Sequence, residues 1–152
     1  MTLSIRKAKP ADASTIVDFN RRMALETEQK VLEPEIVAAG VAAALADPHK
    51  AVYFVAEEDQ HIVGQLSITL EWSDWRNGWL WWIQGVYVRA DARRRGVFRA
   101  LYEHVCEAAR QDPEVVGLRL YVERENLAAQ QTYLRMGMEW TNYLMLERYP
   151  LG

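Results

Sequence analysis

Residues 86–101, VYVRADARRRGVFRAL, run from the end of an apolar strand through three consecutive arginines to a glycine that opens a helix. The first turn of a helix leaves its main-chain N–H groups without partners inside the helix, and the aligned peptide dipoles add partial positive charge there. Gly96 has no Cβ to hold a ligand away from those groups. Arg93, Arg94, Arg95 and Arg99 add guanidinium groups, which pair with phosphate oxygens through several hydrogen bonds. The chemistry on offer is recognition of a polyanion such as a diphosphate. For an isolated RRRG, the competing account is a solvated basic turn.

Two other stretches carry reactive types. Residues 125–138, ENLAAQQTYLRMGM, place Asn126 at a helix start and the phenol of Tyr133 four residues before a glycine. Taken alone, Asn126 is accounted for as an N-cap and Tyr133 as a half-buried aromatic. Residues 71–82, EWSDWRNGWLWW, hold five of the six tryptophans beside Glu71 and Asp74. Aromatic faces next to carboxylates suit a cationic amine. Core packing or a dimer interface explains tryptophans as well, since alternate strand positions must face inward.

Bulk properties narrow the classes of function. With 152 residues the chain suits a single domain, 1–152, and half its residues are hydrophobic against 26% charged, the balance of a folded protein. A net charge of −3 opposes general attraction to nucleic acid or anionic membrane, so the positive charge is local to the arginine segment. No apolar run reaches membrane-spanning length and the N-terminus lacks a signal-like core, which predicts a cytoplasmic protein. Cys106 is the only cysteine, so no intrachain disulfide forms; its helical setting predicts a buried filler. His49, His61 and His104 lack ligand spacing, and no metal is expected.

The positioning elements follow from periodicity. A first strand around Ile5 ends at Pro10, with Asp12 as the expected N-cap of a helix bearing Ile16, Phe19 and Met23 and ending near Leu25. A polar connector, 26–33, leads to Pro34 in the first turn of a second helix, which Asp47-Pro48 stops. Residues 52–57 and 62–72 read as a hairpin, the second strand alternating Leu66, Ile68 and Leu70 with Gln65, Ser67 and Thr69. Asn77-Gly78 turns into WLWWIQGVYV, apolar at nearly every position as a strand covered on both faces would be, and Gly85 within it marks a bulge or a closely approaching ligand. A helix from Gly96 to near Asp112 and a strand at 117–122 form a right-handed crossover. A last helix runs from the Asn126 cap to Gly137, and 140–148 is expected to pair as terminal β structure.

This order, with Arg93-Arg94-Arg95-Gly96-Val97-Phe98 and Asn126 to Tyr133 in place, resembles the GNAT family of N-acetyltransferases over essentially the whole chain. Phe98 departs from the family motif, which usually has a small residue there; the side chain fits if it turns to the core. The resemblance implies an α/β, more strictly α+β, acyl-CoA N-acyltransferase fold: a central mixed, mostly antiparallel sheet flanked by about four helices. It implies acetyl-CoA as co-substrate, with pantetheine along Val86, Tyr87 and Val88, diphosphate at residues 93–99 (Arg93, Arg94, Arg95, Gly96, Val97, Phe98 and Arg99), and Asn126 near the pantetheine arm. Tyr133 would protonate the leaving sulfur, a phenol of pKa about 10 serving a thiol of about 8.5. Acetyl would pass to a primary amine of a small molecule or peptide by direct attack in a ternary complex. The base would be Glu28 or Glu71, and the acceptor would meet Glu26, Glu28, Glu71, Trp72, Trp75 and Gln84. A homodimer is compatible with the resemblance; nucleic-acid and membrane partners are not expected. The alternative is a catalytically silent acetyl-CoA sensor or regulatory module.

Overall fold

The computed structural model describes residues 2–152, and the chain separates into one compact unit that ends at Tyr121 and a second, Val122–Gly152. In the first unit the order is β1 (Leu3–Lys7), α1 (Ala13–Glu28), α2 (Pro34–Ala46), β2 (Val52–Glu58), β3 (His61–Ser73), β4 (Gly78–Val88), α3 (Val97–Gln111) and β5 (Val115–Arg119). The five strands lie side by side in sequence order, antiparallel from β1 to β4 and parallel between β4 and β5. This is the mixed, mostly antiparallel sheet expected from the sequence. The second unit contains the fourth helix, α4 (Leu127–Arg135).

Local chemistry sets the turns. Asp59 and Gln60 both adopt positive φ, 50° and 66°, between β2 and β3, the backbone twist that joins antiparallel strands most tightly. Asn77, at φ 50°, delivers the chain into Gly78, where a Cβ would collide with a Val116 methyl and approach the Glu114 carbonyl at 2.9 Å. Pro34 occupies the first turn of α2, where the missing N–H costs nothing.

Neighbouring residues on β3 show how the sheet is covered. A Cβ on Gly64 would press within 2.8 Å of Val97 and 3.4 Å of Leu101, so α3 packs closely on that face. Gln65, one residue on, reaches Asn20 of α1. Successive strand residues point to opposite faces, so α1 and α3 cover opposite sides of the sheet. Ile16, Val55, Val63, Leu66, Leu101 and Val105 are fully or almost fully buried between them.

Asp12 does more than the N-cap role read from its position. It precedes α1, but its side chain makes no cap bond there; its carboxylate accepts from the Lys9 N–H at 2.7 Å and from both Arg6 Nη atoms at 2.8 and 3.1 Å. Arg6 also donates to Glu57 at 3.1 Å, tying β1 to β2 and to the start of α1. The Arg6 hydrogen bonds hold the Asp12 carboxyl below the usual carboxylate range. A depressed native pKa gives stability that is complete above the unfolded-state value of about 3.9 and is lost as pH falls through the lower native value. Asp12→Asn should therefore cost about 2 kcal/mol near neutrality, with the deficit against wild type shrinking in urea titrations toward pH 3. A deficit independent of pH would contradict this assignment.

Residues 140–148 do not form the β structure expected of them: among the described residues, no strand lies beyond β5. Strand-forming side chains need a neighbour that accepts their backbone hydrogen bonds. Here Leu144 and Leu146 are each 95% exposed. The strand read at 117–122 begins earlier and ends at Arg119, and α1 runs on through 26–28 into the expected connector.

Candidate active site

The bulge in β4 is the organising feature. Gln65 pairs with Tyr87 and Ser67 with Gln84, so β4 fits two residues, Gly85 and Val86, opposite the single residue Leu66. Gly85 takes up the extra length at φ 60°, a conformation costly for a residue with a side chain. On its other side β4 pairs with β5 only as far as Trp82 opposite Arg119, although it continues to Val88. Among the described residues, the main chain of β4 beyond Trp82 therefore has no strand paired with it on the β5 side. Such an edge offers N–H and C=O groups to an extended ligand.

Val88 leads through a 3₁₀ turn, Ala90–Ala92, into the arginines. Arg93 folds back: Nε donates to the Val88 carbonyl at 2.8 Å, Nη2 meets Glu26 at 3.0 Å, and the guanidinium lies 5.3 Å from the centre of the buried Tyr87 ring. Arg95 reaches Glu58 at 3.2 Å and Arg99 pairs with Glu103 at 3.5 Å. The Arg93 and Arg95 contacts tie the turn to α1, β2 and β4, while Arg99 pairs within α3. Arg94 and Gly96 have φ 65° and 81°, and the ladder of α3 begins with Ala100 N donating to Gly96 O at 3.0 Å. A Cβ built on Gly96 meets nothing within 4 Å. Val97 is buried and Phe98 packs on Tyr102 with ring centroids 6.0 Å apart, so the bulky residue at the motif's usual small position turns along α3.

The carboxylates and tryptophans divide among different places. Glu26, through Arg93, lies beside the basic turn, whereas Glu28 at the end of α1 pairs with Lys30 at 3.3 Å. Glu71 accepts from Trp82 Nε1 at 2.8 Å and from Arg119 at 3.0 Å, linking β3 to β5 across β4. On the same face Gln84 donates to Thr69 at 2.7 Å and lies 3.5 Å from the Tyr121 hydroxyl. Trp72 follows Glu71 on the strand and so points to the other face, where it meets Trp79 edge-on at 5.0 Å. Trp75 sits in the β3–β4 turn and is 86% exposed.

In the second unit, Asn126 caps α4 by accepting from the Ala129 N–H at 3.2 Å. Gly137, at φ 99°, ends the helical segment in the left-handed conformation expected from the sequence. Tyr133 is half-buried, and burial pushes its hydroxyl pKa upward.

A model of the acetyltransferase (GNAT) family matches residues 16–138. The chain belongs to the GNAT family. Among solved structures, a possible acetyltransferase from Clostridium difficile 630 is 40% identical, with a TM-score of 0.93 over 100% of both chains. A predicted acetyltransferase from Clostridium acetobutylicum, solved with acetyl-CoA, is 19% identical with a TM-score of 0.79 over 96% of both. AAC(6')-Iy, solved with the bisubstrate analogue CoA-S-monomethyl-acetylneamine, is 17% identical with a TM-score of 0.78 over 97% of this chain and 98% of that one. At these lower identities the likeness is one of fold. No curated protein matches the chain.

This GNAT chain also holds a polar network at the bulge that the alternation of β3 does not reveal. Gln65 and Ser67 look like the outward face of an alternating strand, yet Gln65 is 0% exposed and Ser67 4%. Ser67 Oγ donates to the Gln84 carbonyl at 3.2 Å, and Gln65 Nε2 donates to the Gly85 carbonyl at 3.0 Å and to Asn20 Oδ1 at 2.8 Å. The available signal was a pair of polar residues in a hairpin strand next to a strand containing glycine.

Proposed function

We propose that this single domain, 1–152, is an N-acetyltransferase that moves acetyl from acetyl-CoA to a primary amine of a small molecule or peptide. The observation that supports this best is the free edge of β4 beyond Trp82, which leads past the Gly85–Val86 bulge into a helix start that is open at Gly96. In this reading the pantetheine arm adds to the edge formed by Val86, Tyr87 and Val88, and Asn126 meets that arm. The diphosphate accepts main-chain N–H groups of residues 94–99, with Arg94 in the surrounding positive charge. The braced guanidiniums of Arg93 and Arg95 keep the turn in shape.

The amine attacks the thioester carbonyl directly, and holding both substrates together supplies much of the rate. The Val86 N–H stabilises the oxyanion. Tyr133 gives its proton to the departing thiolate, a role favoured by burial that keeps the phenol protonated. Glu71 lies five residues along β3 from the bulge, roughly 17 Å by strand geometry. That distance favours Glu71 as a grip on the far part of the acceptor, with Gln84, on the same face but next to the bulge, meeting its near part, and leaves Glu28 as the base. Glu26, held beside the basic turn by Arg93, meets the part of the acceptor nearest the cofactor, and Trp75, in the β3–β4 turn beyond Glu71, meets its outermost part. Trp72, on the opposite face, contributes by packing.

We propose a homodimer as well, supported by the exposed apolar side chains near the C-terminus. No described helix is long and apolar enough to cross a membrane; a cytoplasmic location, and function without nucleic acid or metal, belong to the same proposal. Incubation with acetyl-CoA and a panel of amines, following free thiol, tests the reading. At least one amine should raise thiol release above the acceptor-free rate. Tight binding of CoA with no release for any amine would instead identify a silent sensor or regulatory module.

A further inference from the structure

We propose that Gln65 is a positioning residue for acetyl transfer, because its hold on the Gly85 carbonyl fixes the peptide plane whose opposite end is the Val86 N–H. The proposal rests on the transferase reading above. Elsewhere in β4 the ladder with β3 sets each peptide plane, but at the bulge neither Gly85 nor Val86 has a partner in the register. β5 has already left the strand. Two side chains of β3 take over the missing bonds: Ser67 Oγ holds the Gln84 carbonyl at 3.2 Å and Gln65 Nε2 holds the Gly85 carbonyl at 3.0 Å. In a trans peptide the C=O and the next N–H point in opposite directions. A fixed Gly85 oxygen, held from the β3 side, therefore aims the Val86 N–H away from β3, toward the edge of β4 that β5 has left.

The network around Gln65 fixes its own orientation. Its Nε2 also donates to Asn20 Oδ1 at 2.8 Å, and Asn20 Nδ2 in turn meets the Tyr53 hydroxyl at 3.2 Å. Reversing the Gln65 amide would set its oxygen against two acceptors. The chain Tyr53, Asn20, Gln65, Gly85 thus runs from β2 through α1 and β3 to the bulge. The other end of the Gln65 amide has no such role: Oε1 is buried without a protein partner, an expense an apolar side chain of similar size would avoid. Such a side chain would fill the space and leave the Gly85 carbonyl unheld.

Gln65→Met and Asn20→Ala, measured in the full chain, test the proposal with two readouts. In steady-state kinetics, Gln65→Met should lower kcat ten- to a hundredfold while KM for acetyl-CoA moves less than threefold. In amide exchange, peptides covering residues 84–88 should exchange at least tenfold faster, with those of α3 within twofold of wild type. Asn20→Ala, which releases only the far side of Gln65, should shift both readouts in the same direction by less, and it decides the matter by the same criteria if Gln65→Met does not fold. A kcat within twofold of wild type overturns the proposal whatever the exchange shows, and so does faster exchange spread evenly over the sheet and helices. If wild type releases no thiol with any amine, the transferase reading fails; the exchange readout still decides whether Gln65 sets the bulge.

Discussion

Gly96→Val is expected to weaken CoA binding by about 30- to 800-fold, read by titration calorimetry, corresponding to one or two lost charge-assisted hydrogen bonds. The physical reason is the open space over the helix start. Beyond its chain neighbours, nothing lies within 4 Å of a Cβ there, so a valine side chain extends over the approach to the N–H groups of the first turn of α3. Backbone strain is a separate effect. At φ 81° any side chain is disfavoured, by about 1–2 kcal/mol, and Gly96→Ala carries that strain with only a methyl group of bulk. Alanine should therefore lower Tm by a few degrees and cost less than tenfold in affinity, with valine far worse in affinity and lower again in Tm, because a β-branched side chain is strained further at positive φ. Equal affinities for wild type and Gly96→Val would place the diphosphate elsewhere.

The parts of the fold that were legible from sequence are those set by local chemistry. Pro34, Asp47-Pro48 and Asn77-Gly78 each act within a few residues, and the elements they bound are where the sequence puts them. Gly85 was readable for the same reason: a glycine inside an apolar strand has few purposes, and a bulge is one. What failed depended on distant partners. Residues 140–148 have the side chains of a strand, but a strand exists only where another backbone lies beside it. Asp12 stands where an N-cap would, yet the guanidinium of Arg6, already bound to Glu57, draws its carboxylate toward β1.

The candidate site divides along the same line. Its main-chain components follow from the strand, turn and helix order of residues 86–101, because glycine and helix polarity alone create them. Its side-chain components did not follow. Alternation in β3 marks Gln65 as polar and nothing more; that α1 covers that face, turning it into an interior network, is a fact of packing. Likewise, Glu71 and Trp72 are adjacent in sequence and look like one acceptor wall, but strand geometry sends them to opposite faces, where one meets Arg119 and the other Trp79.

Tyr133→Phe is expected to lower kcat by about 10²- to 10⁴-fold, the usual worth of a positioned general acid, while changing the affinity for CoA less than threefold. Phenylalanine keeps the ring and its packing and removes only the proton donor, so binding and folding should survive. The pH dependence gives the sharper check. The acceptor amine, with a pKa near 10.4, becomes reactive as pH rises, while burial moves the Tyr133 hydroxyl above its ordinary value of 10.0. Wild-type kcat should therefore climb with pH and turn down only once the phenol ionises, because the proton donor is then gone. In Tyr133→Phe the climb should persist at a lower level and the downturn should vanish. A variant that keeps the wild-type rate, or one whose rate is low but still turns down at the same pH, would assign the departing sulfur's proton to another group.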